Sequence, residues 1–147
     1  MAKPRQKRMQ KRFYAYNPPG TAVAAATTQV IPLTIDQDAD FMAMYLTFTA
    51  TTLANWTLQI EDTDSSRTWF RNPIPILGHF DNTARENYML PAARYLGRQT
   101  VVTFTVTNAG GAPDTIFIVM HGYKLVPVKT VSSAALRAIQ RRKLARR

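Results

Sequence analysis

The chain has 147 residues, the size of one compact domain, and 46% of its residues are hydrophobic. It contains no cysteine, which excludes disulfides, a thiol nucleophile and zinc sites built on thiolates. No apolar run approaches the roughly 20 residues that span a bilayer, and the N-terminus lacks the apolar segment of a secretory signal. We therefore expect a soluble protein without a membrane partner.

The net charge of +10 belongs to the two ends of the chain. Residues 1–12 contain six cations and no acid, and residues 129–147 contain seven cations and no acid. The other six cations and all nine acids lie between residues 13 and 128, which therefore carry a net charge of −3. Because surface charges that serve only solubility are normally mixed, this segregation predicts that both ends bind something acidic.

The first part of the chain is predicted to be an arm, followed by a strand. Residues 13–20, FYAYNPPG, join three aromatic residues to a Pro-Pro-Gly stop, which is typical of an extended segment. Thr21–Leu33 is rich in Thr, Val and Ala and predicts a strand, with Pro32 at an edge or a bulge. The acidic segment Asp36–Asp40 is predicted to be a polar turn.

Hydrophobic alternation then predicts several strands. Phe41–Thr52 would place its even-numbered residues from 42 to 48 on one face, and Trp56, Leu58 and Ile60 would face the core from the next strand. A short returning strand is expected at Thr68–Arg71, after the turn DTDSSR. The Pro- and Gly-containing stretch 72–99 predicts a long ordered loop with short pieces of structure.

The two-residue hydrophobic alternation of a strand returns after this loop. In 100–108, Val102, Phe104 and Val106 would point inward, and the Gly-Gly turn that follows predicts a hairpin to an apolar strand at Thr115–Met120. The predicted fold is therefore all-β, an antiparallel β-sandwich (jelly-roll-like) formed by residues 21–128, with a basic N-terminal arm at 1–20 and a basic tail at 129–147.

The tail is predicted to contain a short helix. Ser132 and Ser133 offer an N-cap for a helix from Ala134, with Leu136, Ile139 and Leu144 on one side. A basic helix of this length is marginal alone, so we expect it to need a partner surface.

Residues that could carry chemistry do not complete a known site. Asp36, Asp38 and Asp40 have the spacing of the first ligands of a calcium loop, but Phe41 and Thr47 stand where that loop needs Gly and Glu. The acidic cluster of Glu61, Asp62 and Asp64 lies in one hairpin turn, where solvated carboxylates are expected. His79 and His121 lack the companion residues of a zinc site or a catalytic triad. We therefore predict a non-enzymatic protein without a cofactor or metal.

The candidate binding residues lie in the two basic ends. Their cations neutralise phosphates or acidic protein surfaces, and the aromatic residues beside them stack on bases or fill protein pockets. The candidates are Lys3, Arg5, Lys7, Arg8, Lys11, Arg12, Phe13, Tyr14, Tyr16, Leu136, Arg137, Ile139, Arg141, Arg142, Lys143, Leu144, Arg146 and Arg147.

Residues 27–125 resemble a family of small virion proteins of tailed bacteriophages. The resemblance rests on the ordered stretches QVIPLTIDQDADFMA, LQIEDTDSSRTW, NPIPILGHFDNTARENYMLPAARYLG, VVTFTVTN and IVMHGYKL. It implies a β-sandwich component of the head or neck, with no catalytic residues to transfer. The two basic ends are not part of this pattern.

Three functions remain open at this point. The first is a capsid accessory protein of the virion, assembled in the host cytoplasm, whose arms fasten major capsid or neck proteins and copies of itself. The second is a coat-type protein whose basic ends bind packaged nucleic acid, and a structural component of the neck or tail is a further alternative to the first. The third, a glycan-degrading tail enzyme, would need convergent carboxylates that the sequence does not place in a cleft.

Overall fold

The computed structural model describes residues 9–77 and 88–128, and these form ten strands and one turn of 3₁₀ helix. The all-β prediction is confirmed. In chain order the elements are β1 (Met9–Tyr16), β2 (Thr21–Val23), β3 (Thr27–Thr34), β4 (Asp40–Thr49), the 3₁₀ turn (Leu53–Asn55), β5 (Trp56–Asp62), β6 (Arg67–Thr68), β7 (Ile74–Pro75), β8 (Tyr88–Leu96), β9 (Val101–Asn108) and β10 (Asp114–Pro127).

The strands form two antiparallel sheets of five strands each. Sheet 1 has the order β1-β10-β4-β8, and β2 pairs with the first residues of β10. Sheet 2 has the order β3-β9-β5-β6, and β7 pairs with β5. Every pairing is antiparallel, as the alternating sequence pattern predicts.

The two sheets bury one shared hydrophobic cluster, to which both contribute. Phe41, Leu46 and Ile118 come from sheet 1, whereas Trp56 and Phe104 come from sheet 2. The predicted inward residues of β5 and β9 are all fully buried, and their neighbours in sequence are partly exposed. Strict alternation is reliable here because β5 and β9 pair with neighbours on both sides without a change of register.

The prediction of which β4 side chains point into the core is wrong for the first half of the strand. Phe41 and Ala43 are buried in that half, whereas Leu46 and Phe48 are buried in the second half. The register with both neighbours shifts around Met44, so a β-bulge changes which residues face the core. The period of two therefore holds on each side of Met44 but not across it.

The N-terminal segment differs from the predicted arm over Met9–Tyr16. These residues form β1, which pairs with β10 along its full length, so sheet 1 begins before the predicted boundary at residue 21. The expected single strand at Thr21–Leu33 is divided into β2 and β3, which lie in different sheets. The chain turns between them, where Ala26 has a φ of 55°. Pro32 lies on the edge strand β3, as expected.

The stretch 72–99 contains a longer strand than the short pieces of structure that were predicted there. Tyr88–Leu96 forms β8, a nine-residue strand. It is the outermost strand of sheet 1 beside β4, and Pro91 is tolerated there because an edge strand has one side without ladder hydrogen bonds.

The Gly-Gly turn at residues 109–113 does not form the predicted hairpin. β9 lies in sheet 2 and β10 lies in sheet 1, so this turn carries the chain from one sheet to the other. Turn residues signal a reversal of direction, but they carry no information on which strand pairs with which. The predicted helix from Ala134 lies outside the described residues.

Candidate partner-binding surface

The structure locates five of the candidate binding residues, and all five lie on β1. Lys11, Arg12, Phe13 and Tyr14 are exposed, whereas Tyr16 is buried. The other candidates lie outside the described residues: Lys3, Arg5, Lys7, Arg8, Leu136, Arg137, Ile139, Arg141, Arg142, Lys143, Leu144, Arg146 and Arg147.

Lys124 holds β1 against the acidic turn before β4. Its ammonium donates hydrogen bonds to Asp36 Oδ2 at 2.6 Å and to Asp38 Oδ1 at 3.1 Å, and it lies 4.1 Å from the centre of the Tyr14 ring. Burial disfavours the charged ammonium, but the hydrogen bonds to Asp36 and Asp38 outweigh this effect and raise the pKa of Lys124 above its ordinary value. Lys124 therefore stays charged and joins three segments of the chain.

Tyr16 belongs to the core of this chain. Its hydroxyl accepts a hydrogen bond from the Asp36 backbone N–H at 3.0 Å, and its ring packs edge-on against Phe41 with 4.9 Å between centroids. Burial raises the pKa of Tyr16 to about 12. Since only 8% of Tyr16 is exposed, its ring is not available to stack on a base or to fill a pocket of a partner.

A row of rings crosses the outer surface of sheet 1 and includes Phe13. The Phe13 ring lies 6.3 Å from that of His121 and 6.1 Å from that of Tyr123, and the His121 ring stacks on Tyr45 at 4.3 Å. We call Phe13, Tyr45, His121 and Tyr123 the aromatic row. Phe13 is 59% exposed, so the row ends at an open apolar ring beside the basic residues of β1.

His121 lies on β10 and is held within sheet 1 by a contact with Thr47. Its Nε2 lies 3.1 Å from Thr47 Oγ1, and its Nδ1 is buried without a hydrogen-bond partner. Burial lowers the pKa of His121, so the imidazole is neutral at pH 7.

The acidic turns use their carboxylates within the chain. Asp40 accepts hydrogen bonds from the Tyr95 hydroxyl and from the Arg98 backbone N–H, and these bonds lower its pKa. Asp62 accepts bonds from the Asp64 backbone N–H and the Ser65 hydroxyl. Across residues 9–77 and 88–128, no group of three His, Cys, Asp or Glu side chains has a geometry that would hold a metal ion.

The described residues next to the two basic ends meet at one corner of sheet 1. In the β1–β10 pair, Met9 lies opposite Pro127 and Gln10 lies opposite Val126. The residues before Met9 and those after Pro127 therefore begin at neighbouring points, and Lys11 and Arg12 lie exposed beside them. We call this end of the β1–β10 pair the basic corner.

Sequence reasoning identified the charges of the basic corner but not their convergence. β1 and β10 are separated by most of the chain, and their pairing depends on tertiary contacts such as those of Lys124 with Asp36. The one local signal is FYAY, in which alternate aromatic residues fit a strand with two different faces.

Comparison with protein-family models, with curated proteins and with solved structures finds no match to this chain. The phage resemblance of the sequence therefore supports a proposal and does not assign a family. None of the helical segments in the described part of the chain is long and apolar enough to cross a membrane.

Proposed function

We propose that the chain is a structural protein of a bacteriophage virion, a capsid-associated accessory protein that acts as a minor capsid, cement or decoration subunit. In this proposal the two sheets form a jelly-roll-like sandwich that carries no catalytic function. The basic ends fasten it to acidic surfaces of major capsid or neck proteins and of other copies of itself. The protein is assembled in the host cytoplasm and resides in the virion.

The basic corner is the observation that carries this proposal. Thirteen cations belong to the two ends, while residues 13–128 have a net charge of −3. Met9 pairs with Pro127, so the described residues next to the two ends lie side by side. In this proposal both ends therefore act on the same neighbouring surface. A weakly acidic body with one basic attachment point suits a subunit that binds by one corner and keeps its other surfaces for further contacts.

The partner's nature is tested by comparing two tail variants in particle assembly. Leu136→Asp removes an apolar contact, whereas the double change Arg141→Ala with Arg142→Ala removes two cations. If an acidic groove of a protein receives the tail, both variants lower the number of copies per particle by a similar factor, because the apolar side and the charges dock together. Arg71→Ala, an exposed cation of the body, is the matched control and leaves the copy number unchanged.

Cross-linking mass spectrometry of intact particles supplies the second test. We expect cross-links between Lys11 or the terminal lysines and the major capsid or neck protein. Purified particles that contain the protein but give no cross-link to another virion protein would refute the fastening role.

A second function, binding of packaged nucleic acid, is favoured by one specific observation. The exposed Phe13 ring lies on the same strand as Lys11 and Arg12, and such a combination binds single-stranded nucleic acid by stacking and charge. Filter binding across a salt series distinguishes this function. If most of the terminal cations contact phosphates, the log–log slope is far steeper than about −3. A flat salt dependence, or a silent Arg141 and Arg142 double variant, excludes it.

A further inference from the structure

A cleft of about 370 Å³ lies between the edges of the two sheets, away from the basic corner. One wall belongs to the β5–β6 hairpin and the residues that follow it, and the other wall belongs to β8. Its volume falls near the lower limit of small-molecule sites, which is roughly 300 Å³. The lining residues are Asp62, Ser65, Arg67, Thr68, Trp69, Ala93, Arg94, Tyr95 and Leu96.

The lining of the cleft contains two arginines and one carboxylate, Asp62, which is the cross-strand neighbour of Arg67. In the described part of the chain, neither Arg67 nor Arg94 forms an ion pair, whereas Arg98 outside the cleft pairs with Asp40 at 3.6 Å. The one carboxylate of the lining, Asp62, accepts hydrogen bonds within its own turn. The cleft therefore has an excess of positive charge with free donors, which suits a carboxylate or a phosphate group.

Trp69 supplies the second recognition element. The Arg94 guanidinium lies 5.4 Å from the centre of the Trp69 ring, so the ring holds this cation at the wall of the cleft. Trp69 is half-buried, packs against the core and contributes to the lining of the cleft beside Arg94. Hydroxyl groups of Ser65 and Thr68 lie on the same wall. An aromatic ring flanked by hydroxyls and guanidinium groups suits a ligand with an apolar ring face, several hydroxyls and one negative charge.

We propose that this cleft binds an acidic sugar, with the negative group between Arg67 and Arg94 and the sugar ring against Trp69. A sugar phosphate and a uronic acid share this chemistry. The proposal does not depend on the basic ends or on the fastening role, because every residue of the cleft lies in the body.

The two tryptophans of the chain make binding directly measurable. Trp56 is fully buried and donates its indole N–H to Asp114, so it serves as an internal reference, while Trp69 reports on the cleft. Ribose 5-phosphate and glucuronate are titrated into the full-length protein, with ribose and glucose as neutral controls. We expect saturable quenching by at least one of the two acids and no saturation by the neutral sugars. The acid that binds more tightly identifies the source of the negative group.

Three variants test the assignment by calorimetry. Arg67→Gln and Arg94→Gln each weaken binding by about tenfold or more, because a charge-assisted hydrogen bond contributes at least one such factor to affinity. Arg98→Gln removes the same charge outside the cleft and leaves the affinity unchanged. The proposal is overturned if neither acid binds at millimolar concentration, if ribose binds as tightly as its phosphate, or if Arg98→Gln weakens binding as much as Arg94→Gln. Arg94-dependent binding of a glutamate-rich peptide without binding of either acid would also overturn it and identify a protein partner instead.

Discussion

Asp114 joins the end of β4 to the start of β5, and its replacement by Asn tests the role of this junction. Its Oδ2 accepts hydrogen bonds from the Thr52 N–H at 3.1 Å and from the Trp56 indole N–H at 3.2 Å, and its Oδ1 accepts one from the Thr51 N–H at 3.2 Å. Burial disfavours the carboxylate, but these bonds outweigh it and lower the pKa of Asp114 from 3.8 to about 2. The folded state therefore prefers the ionised form.

The size of the effect follows from this pKa. A tenfold change in an equilibrium corresponds to about 1.4 kcal/mol, so the shift sets an upper limit of about 2.4 kcal/mol. Because Asp114 is partly exposed, solvent screening reduces the charge-dependent part to about 1 kcal/mol. An amide keeps one oxygen but loses the other, which leaves a donor such as the buried Trp56 N–H without a partner. We expect Asp114→Asn to lower the free energy of unfolding at pH 7 by about 1–3 kcal/mol.

The pH dependence of the free energy of unfolding separates the contribution of the Asp114 charge from that of its shape and hydrogen bonds. The pKa of Asp114 is lower in the folded state, so its contribution is complete above the unfolded pKa of about 3.9 and is lost as the pH falls through about 2. Urea unfolding followed by circular dichroism at pH 7, 4, 3 and 2 should show the gap between wild type and variant narrowing by about 1 kcal/mol below pH 4. Glu61→Gln on β5 controls for the loss of one negative charge. A gap that stays constant down to pH 2 would refute the reasoning.

Three further predictions concern other parts of the body. Phe104→Ala empties a fully buried site and should lower the free energy of unfolding by about 3–5 kcal/mol in thermal or urea unfolding; an unchanged melting temperature would contradict the packing of β9. Gly122→Ala would place a Cβ 2.0 Å from the Met42 carbonyl oxygen, and we expect a loss of about 1–3 kcal/mol or more, while Gly111→Ala in an open turn is the neutral control. Lys124→Met should speed amide hydrogen exchange in β1 relative to β9, because it removes the bonds to Asp36 and Asp38; equal protection of β1 in both proteins would show that the ladder with β10 suffices.

Hydrophobic alternation in the sequence correctly predicted the buried residues of the central strands of sheet 2. It failed in β4, where pairing with other strands introduces a bulge. Trp56 and Phe104 lie on strands with partners on both sides and no bulge, so alternation alone reveals their facing. At Met44 a bulge changes the facing, and no residue of the FMAMYL segment signals it. The extra residue becomes evident only in the pairings with β8 and β10, and in the latter Gly122 allows the Met42 carbonyl to approach.

The sequence predicted which residue types belong to the candidate site, but not the strands that position them. Proline at position 91 and the cations of β1 suggested a loop and an arm, but both segments are edge strands, the class in which proline and basic residues are tolerated. The cleft beside Trp69 was missed because Arg67 and Arg94 lie far apart in the sequence and on different sheets.

If the basic ends bind as proposed, the pairing of Met9 with Pro127 has a kinetic consequence. Two binding segments that are tethered at one point do not search for a surface independently. Once either end is bound, the other is confined near the same surface at an effective concentration on the order of millimolar, whatever the concentration of free protein. Two weak electrostatic contacts thereby combine into one attachment with a long residence time. Each contact alone still exchanges rapidly, so a subunit can adjust its position on the surface before it becomes fixed.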